Sequence, residues 1–242
     1  ALIVVHLYGL AADLDKISSL CKKYGVALIE DAAESLGTLY RGKYTGTIGD
    51  YGIFSFNGNK IITTSGGGIL ISNRVDRIAK VRFWASQSRD PARHYQHSEL
   101  GYNYRMSNVL AGIGRGQLKV LDRRIAKKKA IFEFYQEKLG HLEGLKMMPV
   151  NDWNEPNYWL SCCTLSSKVR PLAVMEALEA ENIESRPIWK PMHLQPFFTK
   201  YDFVGDGIAD QIFENGICLP SDTKMTEEDL DRVVRIMQRL WD

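Results

Sequence analysis

Asp31, Ser55 and Lys60 are the residues whose types and spacing point most directly to chemistry. Asp31 ends an apolar run that predicts a buried strand, and open α/β sheets bind ligands at the carboxyl ends of their strands. Ser55 alternates with two phenylalanines, so its hydroxyl points away from them and could donate to a phosphate. Lys60 follows a polar turn, and a lysine on a rigid turn can act as an amine nucleophile when its ammonium form is disfavoured. Taken singly, each has an ordinary alternative: a turn carboxylate, a satisfied sheet hydroxyl and a surface lysine.

The glycine and histidine patterns add little by themselves. The three glycines at 66–68 precede a predicted strand and lack the G-x-G-x-x-G spacing of a dinucleotide-binding loop. They indicate only a backbone that passes close to another group. His94 and His97 lie three residues apart without a third ligand nearby, so no metal site is predicted.

Composition and charge exclude several classes of protein. The chain has 31 Lys and Arg against 29 Asp and Glu, which excludes a nucleic-acid binder that depends mainly on electrostatics. No apolar run approaches the ~20 residues of a membrane span. A composition of 45% apolar and 25% charged residues is typical of a globular protein with a sizeable core. Four cysteines without a C-x-x-C pair, and no signal peptide, indicate reduced thiols in a cytoplasmic protein.

The elements that must position these residues differ between the two halves. In the first half, short apolar runs alternate with helical patterns, which indicates βαβ units and a parallel sheet. The predicted strands there are 2–5, 26–29, 52–56 and 69–72, and the predicted helices are 14–24 and 74–84.

In the second half, Ser107 is predicted to cap one long helix whose apolar stripe continues to Leu139. Strands are predicted over 159–164 and 183–186, and helices over 171–181 and from the capping box at Thr226 to 240. We place a domain boundary inside the long helix, between a domain over 1–120 and a smaller one over 121–242.

The order of these features resembles the DegT-like sugar aminotransferases, which belong to the fold-type I enzymes of pyridoxal 5′-phosphate (PLP). The closest similarity is to the branch that aminates C4 of nucleotide-linked 4-keto-6-deoxy sugars. The resemblance implies an α/β fold: part of a large PLP-binding domain with a mostly parallel sheet, followed by a small α+β domain. The matching segments are 29–37, 54–60, 101–107, 185–187 and 189–193.

The resemblance implies a role for each residue that matches a family motif. Lys60 would bind PLP covalently through its amine and then carry a proton between the cofactor and the substrate carbon. Asp31 would pair with the pyridine nitrogen and keep it protonated, which makes the ring an electron sink. Ser55 would bind the phosphate. Asn103 would reach the phosphate held by the neighbouring subunit, in a homodimer with shared active sites.

Glu34 departs from the family pattern, in which Gln or His usually stands near the PLP 3′-oxygen. A carboxylate would repel the phenolate and a neutral acid could donate a hydrogen bond, so both states stay open. Arg186 and His193 lie in matching segments of the second half and are predicted to bind the substrate.

The implied function is transfer of an amino group from L-glutamate to the 4-keto carbon of a UDP-linked 4-keto-6-deoxy sugar, for polysaccharide biosynthesis or protein glycosylation. Family members also carry an N-terminal section that cradles the phosphate, and the chain resembles the portion that follows it. Two alternatives remain. A related sugar 3-dehydratase would carry histidine in place of Lys60, and a non-catalytic regulatory or interaction module would not need the Asp31–Ser55–Lys60 set.

Overall fold

The protein is described by a computed structural model that covers residues 1–166 and 168–242. It divides into two compact units. Unit 1 comprises Ala1–Ile125 and Val150–Trp159, and unit 2 comprises Ala126–Pro149 and Leu160–Asp242. We call Val150–Trp159 the return segment. Within the described residues, no helix combines the length and the apolar character that crossing a bilayer requires. The predicted domain boundary after residue 120 stays a prediction.

Each predicted strand overlaps an observed one, but the strand predicted over 183–186 is reduced to Arg186–Pro187, and several observed strands were not predicted. The observed strands are β1 (Leu2–Val5), β2 (Leu28–Asp31), β3 (Leu39–Tyr40), β4 (Lys43–Tyr44), β5 (Tyr51–Ser55), β6 (Gly68–Ile71), β7 (Leu145–Met147), β8 (Asn154–Glu155), β9 (Ser161–Leu165), β10 (Arg186–Pro187) and β11 (Gly216–Leu219). β2 begins two residues later than predicted because the N–H of Val26 donates to the Cys21 carbonyl and closes the preceding helix.

The helices are α1 (Leu14–Tyr24), α2 (Val75–Ala85), α3 (Asn108–Leu118), α4 (Leu121–Leu139), α5 (Pro171–Glu179), α6 (Ile208–Asn215) and α7 (Glu227–Gln238). Gly25 ends α1 in the left-handed conformation, with φ of 62°. The predicted capping box before α7 is confirmed, since Thr226 and Asp229 bond to each other's backbone N–H.

The single long helix predicted from Ser107 to Leu139 is wrong, although Ser107 does cap its first part. The helix is interrupted between α3 and α4. There the N–H groups of Lys119 and Val120 donate to the carbonyls three residues earlier in the chain, and not to those four residues earlier as in an α-helix. α3 contains three glycines, which are weak helix formers, so little local propensity opposes the break.

In unit 1, the main sheet has the strand order β1–β2–β5–β6. β1, β2 and β5 run parallel, and β6 is antiparallel to β5. Side chains from β1, α1 and β2 pack together in one core cluster that includes Val4, Leu14 and Leu28. β4, β3 and β8 form a small antiparallel sheet, through which the return segment joins unit 1. The predicted α/β class with a mostly parallel sheet is confirmed.

Unit 2 has an antiparallel sheet with the strand order β10–β11–β9–β7, and α5 packs against α7. Its fully buried side chains include Tyr135, Leu165, Leu178, Ile217 and Met237. The Tyr135 hydroxyl donates to the Pro220 carbonyl at 2.7 Å, so the polar end of this buried ring is satisfied. Burial raises the pKa of this phenol well above its ordinary range.

Candidate active site

Asp31 and Ser55 lie on the same face of the main sheet. Asp31 is the last residue of β2 and pairs with Ile53 of the parallel strand β5, so Ser55, two residues farther on, shares its face. Both side chains are half-buried. The Asp31 Oδ1 atom accepts the N–H of Ala33 at 3.1 Å, and Ser55 Oγ accepts the N–H of Asn57 at 3.3 Å. The carboxylate and the hydroxyl therefore lie on one face of the sheet, at the carboxyl ends of two neighbouring strands.

Glu30, on the opposite face of β2, is a fully buried carboxylate with four donors. Its Oε1 accepts the N–H groups of Ile48 and Gly49 at 2.6 and 2.5 Å, and its Oε2 accepts that of Gly46 at 2.7 Å. The fourth donor is His6 Nε2 at 2.9 Å. Burial acts to raise the pKa of Glu30, but these four hydrogen bonds hold it below its ordinary value. The network fixes β2 immediately before Asp31.

The protonation of His6 follows from its two hydrogen bonds. The backbone N–H of Ala12 donates to His6 Nδ1 at 3.2 Å, so Nδ1 carries a lone pair and the proton of the neutral ring lies on Nε2. That proton donates to Glu30 Oε2. The pair is therefore a hydrogen bond from a neutral imidazole to a carboxylate, and not a salt bridge between two charged groups.

The Lys60 amine lies close to a carboxylate and to an indole ring. Its Nζ is 3.6 Å from Glu34 Oε1 and 4.2 Å from the centre of the Trp159 ring. The Lys60 and Glu34 side chains are each 13% exposed, so this amine differs from an ordinary surface lysine. The other carboxylate oxygen of Glu34 accepts the N–H of Tyr8 at 2.9 Å. Glu34 is thus held in place beside the Lys60 amine.

The return segment supplies two residues of this site that the sequence analysis missed, Asn157 and Trp159. Asn157 Nδ2 donates at 3.0 Å to the carbonyls of Glu34 and Leu36, and the Trp159 indole N–H donates at 2.9 Å to the Asn59 carbonyl. No local pattern marks them, because an Asn-Tyr-Trp sequence before a strand is equally typical of a turn and a core aromatic. Contact between distant segments alone gives them their place.

For three further predicted residues, the structure gives contacts within their own units. Asn103, in unit 1, is exposed and forms an isolated β-bridge with Ser86. Arg186 is exposed on β10 of unit 2 and pairs with Glu184.

His193 lies in a short 3-10 turn of unit 2, Met192–Leu194. It stacks on the Phe203 ring at 3.6 Å between centroids, and its Nε2 is 2.7 Å from Asp210 Oδ1. The roles predicted for Asn103, Arg186 and His193 stay predictions.

Comparison with known proteins supplies evidence that is independent of this geometry. Residues 1–238 match the DegT/DnrJ/EryC1/StrS aminotransferase family. The chain belongs to this family. The resemblance seen in the sequence is therefore confirmed, and it extends over nearly the whole chain.

Individual relatives agree with the family match. EpsN of Bacillus subtilis, provisionally named as a pyridoxal phosphate-dependent aminotransferase, is 52% identical over 245 residues, which cover 100% of this chain and 63% of that protein. The GDP-perosamine synthase of Caulobacter vibrioides is 37% identical over 99% of this chain and 66% of its own length. The aminotransferase TlmJ of Streptoalloteichus hindustanus superposes with a TM-score of 0.91 at 26% identity, over 98% of this chain and 64% of that one. The chain thus spans slightly less than two thirds of these relatives.

Proposed function

We propose that the protein is a PLP-dependent aminotransferase that moves an amino group from L-glutamate to the 4-keto carbon of a UDP-linked 4-keto-6-deoxy sugar. The observation that carries the proposal is the Lys60 amine, enclosed beside Glu34 at the same sheet edge as Asp31 and Ser55. Membership of an aminotransferase family supports the reaction class.

The donor set fits PLP group by group. An amine, a carboxylate and a hydroxyl correspond to its aldehyde, its pyridine nitrogen and its phosphate. Within the described residues, Asp31 has one side-chain hydrogen bond, to Oδ1, which leaves Oδ2 available for a pyridinium N–H. When bound, PLP supplies an electron sink that stabilises negative charge at the carbon next to nitrogen.

Residues of this chain are proposed to bind the cofactor and to move the protons of the reaction. Asp31 holds a proton at the pyridine nitrogen, and Ser55 Oγ orients the phosphate. Lys60 Nζ moves a proton to and from the substrate carbon, and general acid–base catalysis of this kind typically contributes ~10²–10⁴-fold. Glu34, whose Oε1 is 3.6 Å from Nζ, is proposed to stand beside the PLP 3′-oxygen and to hold the end of the Lys60 side chain in place.

The same residues weigh against the two alternatives. A sugar 3-dehydratase of the related type needs histidine where this chain has Lys60. A non-catalytic module would have no use for the combination of Asp31, Ser55 and Lys60, which this chain keeps intact. The aminotransferase is the function that uses Asp31, Ser55 and Lys60 together.

The proposal includes a second copy of the chain as partner. In family members, the residue at the position of Asn103 reaches the phosphate site of the neighbouring subunit. The exposure of the Asn103 side chain supports this role, because a residue that serves a partner must be accessible on its own subunit. Arg186 and His193 are proposed to contact the substrate.

Borohydride reduction of the PLP-loaded protein tests the proposal. We expect the reagent to fix PLP to the Lys60 peptide and Lys60→Ala to abolish both this label and amino transfer, since only the amine provides the covalent link. Lys43→Ala, at an exposed lysine of β4, is the control and should keep both. Recovery of the label on another lysine would overturn the assignment.

The substrate is tested with the same protein, expressed from its complete gene. L-glutamate should convert the PLP-loaded form, with loss of its visible absorbance, and the UDP-linked keto sugar should restore it. The GDP-linked sugar is the second arm, because the Caulobacter relative is named for a GDP sugar. Restoration by the GDP sugar alone would correct the nucleotide and leave the reaction class standing.

A further inference from the structure

Trp159 makes two separate contacts with the turn that carries Lys60. Its indole N–H donates to the Asn59 carbonyl at 2.9 Å, and its ring lies 4.2 Å from the Lys60 Nζ. The first contact fixes the backbone next to the lysine, and the second restrains the end of the lysine side chain. Trp159 is itself buried, with 3% exposure, so its ring cannot move aside easily.

The place of Trp159 is set by Asn157. Asn157 Oδ1 accepts the Trp159 backbone N–H at 2.9 Å, while Asn157 Nδ2 donates to the carbonyls of Glu34 and Leu36. Tyr158 between them has φ of 51°, a left-handed conformation that is uncommon for a residue other than glycine. Such a conformation persists where surrounding contacts impose it.

The return segment passes very close to the backbone of Gly9. A Cβ atom on Gly9 would lie 2.0 Å from Asn157 Oδ1, so only glycine fits at this position. The return segment thus bonds to the backbone of Glu34 through Asn157 and supplies the ring that contacts the Lys60 amine.

We propose that Trp159 is a positioning residue that holds Lys60 ready for its covalent bond to PLP. The inference rests on the proposed function and goes beyond it, because it assigns part of the reactivity of Lys60 to a residue outside the motifs. A free lysine side chain loses considerable rotameric freedom when it is fixed. A lysine already held by Glu34 and Trp159 has lost much of that freedom before the cofactor arrives.

The covalent step gives the inference a selective test. The amine nitrogen forms a C=N bond to the aldehyde carbon, the C=O bond breaks, and its oxygen leaves as water with two protons from nitrogen. Pyridoxine 5′-phosphate carries an alcohol in place of the aldehyde and cannot take this step. It shares only the phosphate and ring contacts. A defect confined to the lysine should therefore weaken the binding of PLP and leave that of pyridoxine 5′-phosphate unchanged.

The experiment compares three variants of the protein expressed from its complete gene. Trp159→Leu removes the aromatic ring and the N–H, and Trp159→Phe removes the N–H but keeps a smaller aromatic ring. Trp241→Phe is the matched control, because its indole N–H also donates to a backbone carbonyl at 2.9 Å, that of Glu143 in unit 2. Equilibrium dialysis measures both Kd values, and borohydride trapping measures the rate at which the Lys60 peptide is labelled.

We expect Trp159→Leu to raise the Kd of PLP by about tenfold and to slow trapping at Lys60 similarly. Trp159→Phe should show a smaller effect, and the Kd of pyridoxine 5′-phosphate should stay within about twofold in every variant. Equal weakening of both ligands, or no change for PLP, would show that Trp159 only packs. If Trp159→Leu does not fold, Trp159→Phe decides by the same comparison. A parent protein that traps no PLP at Lys60 would overturn the proposed function itself.

Discussion

Replacing Glu30 by glutamine should destabilise the protein far more than so small a change suggests. The two carboxylate oxygens accept four hydrogen bonds, from His6 Nε2 and the N–H groups of Gly46, Ile48 and Gly49. A glutamine side chain has one oxygen, which can accept two of these donors, and an NH₂ group that must face the others. A change of His6 tautomer cannot compensate, because the Ala12 N–H needs the lone pair on Nδ1.

The size of this destabilisation follows from the number of buried donors that lose their acceptor. A net hydrogen bond to a charged group contributes ~1.5–3 kcal/mol, and a buried donor left without an acceptor costs about 1–3 kcal/mol. Two such donors correspond to a loss of about 3–5 kcal/mol in the free energy of unfolding, the range found when a buried charged network is broken. For a chain of this size, the Tm should fall by about 10 °C.

Thermal unfolding followed by circular dichroism measures this loss. Glu137→Gln is the matched control, because the Glu137 side chain is 72% exposed and forms an exposed pair with the neighbouring Lys138 at 3.0 Å, so its Tm should hardly change. If Glu30→Gln unfolds within about 2 °C of the parent, the four hydrogen bonds do not carry the stability assigned to them.

We also expect the Tm difference between the parent and Glu30→Gln to depend on pH, with a definite sign. Because the pKa of Glu30 is lowered in the folded protein, its stabilising effect is complete above the ordinary value of 4.5 and is lost as the pH falls through the lowered value. The Tm difference between the parent and Glu30→Gln should therefore be constant above about pH 6 and shrink toward pH 3. A difference that stayed constant down to that pH would contradict the lowered pKa.

Two further predictions concern the site and the small unit. Asp31→Asn should reduce amino transfer by about a hundredfold or more, since an amide cannot hold the pyridinium proton, and turnover within a few-fold of the parent would make Asp31 structural. Thr226→Ala removes the oxygen that accepts the Asp229 N–H at 3.2 Å and should lower the stability of unit 2 by about 1 kcal/mol in urea unfolding. The exposed Thr199→Ala, whose hydroxyl bonds only to the Pro196 carbonyl within the described residues, is its control.

The elements that the sequence predicts well are those set by local patterns. β1, α1 and α7 agree with prediction because an apolar run, a left-handed glycine and a capping box each act within a few residues. The break between α3 and α4 was not predicted, since the apolar stripe continues across it.

The elements that were missed depend on partners far away in the sequence. β3, β4 and β8 have two residues each, too few to show a period of two, and they exist as strands only because they pair with one another. β11 is a short buried run between β10 and β9. Its length alone cannot distinguish such a strand from part of a buried helix.

In the site, too, some residues are placed by local sequence patterns and others by contacts with distant segments. The pairing of Asp31 with Ile53 places Ser55 on the face that the alternation of β5 predicts, so local pattern and register account for these two residues. The position of the Lys60 amine is decided elsewhere, by Glu34 and by a ring that Asn157 holds in place. Two proteins with identical motifs can therefore differ in how well the amine is held. Variation in a segment without chemistry of its own is then enough to change the reactivity of the lysine.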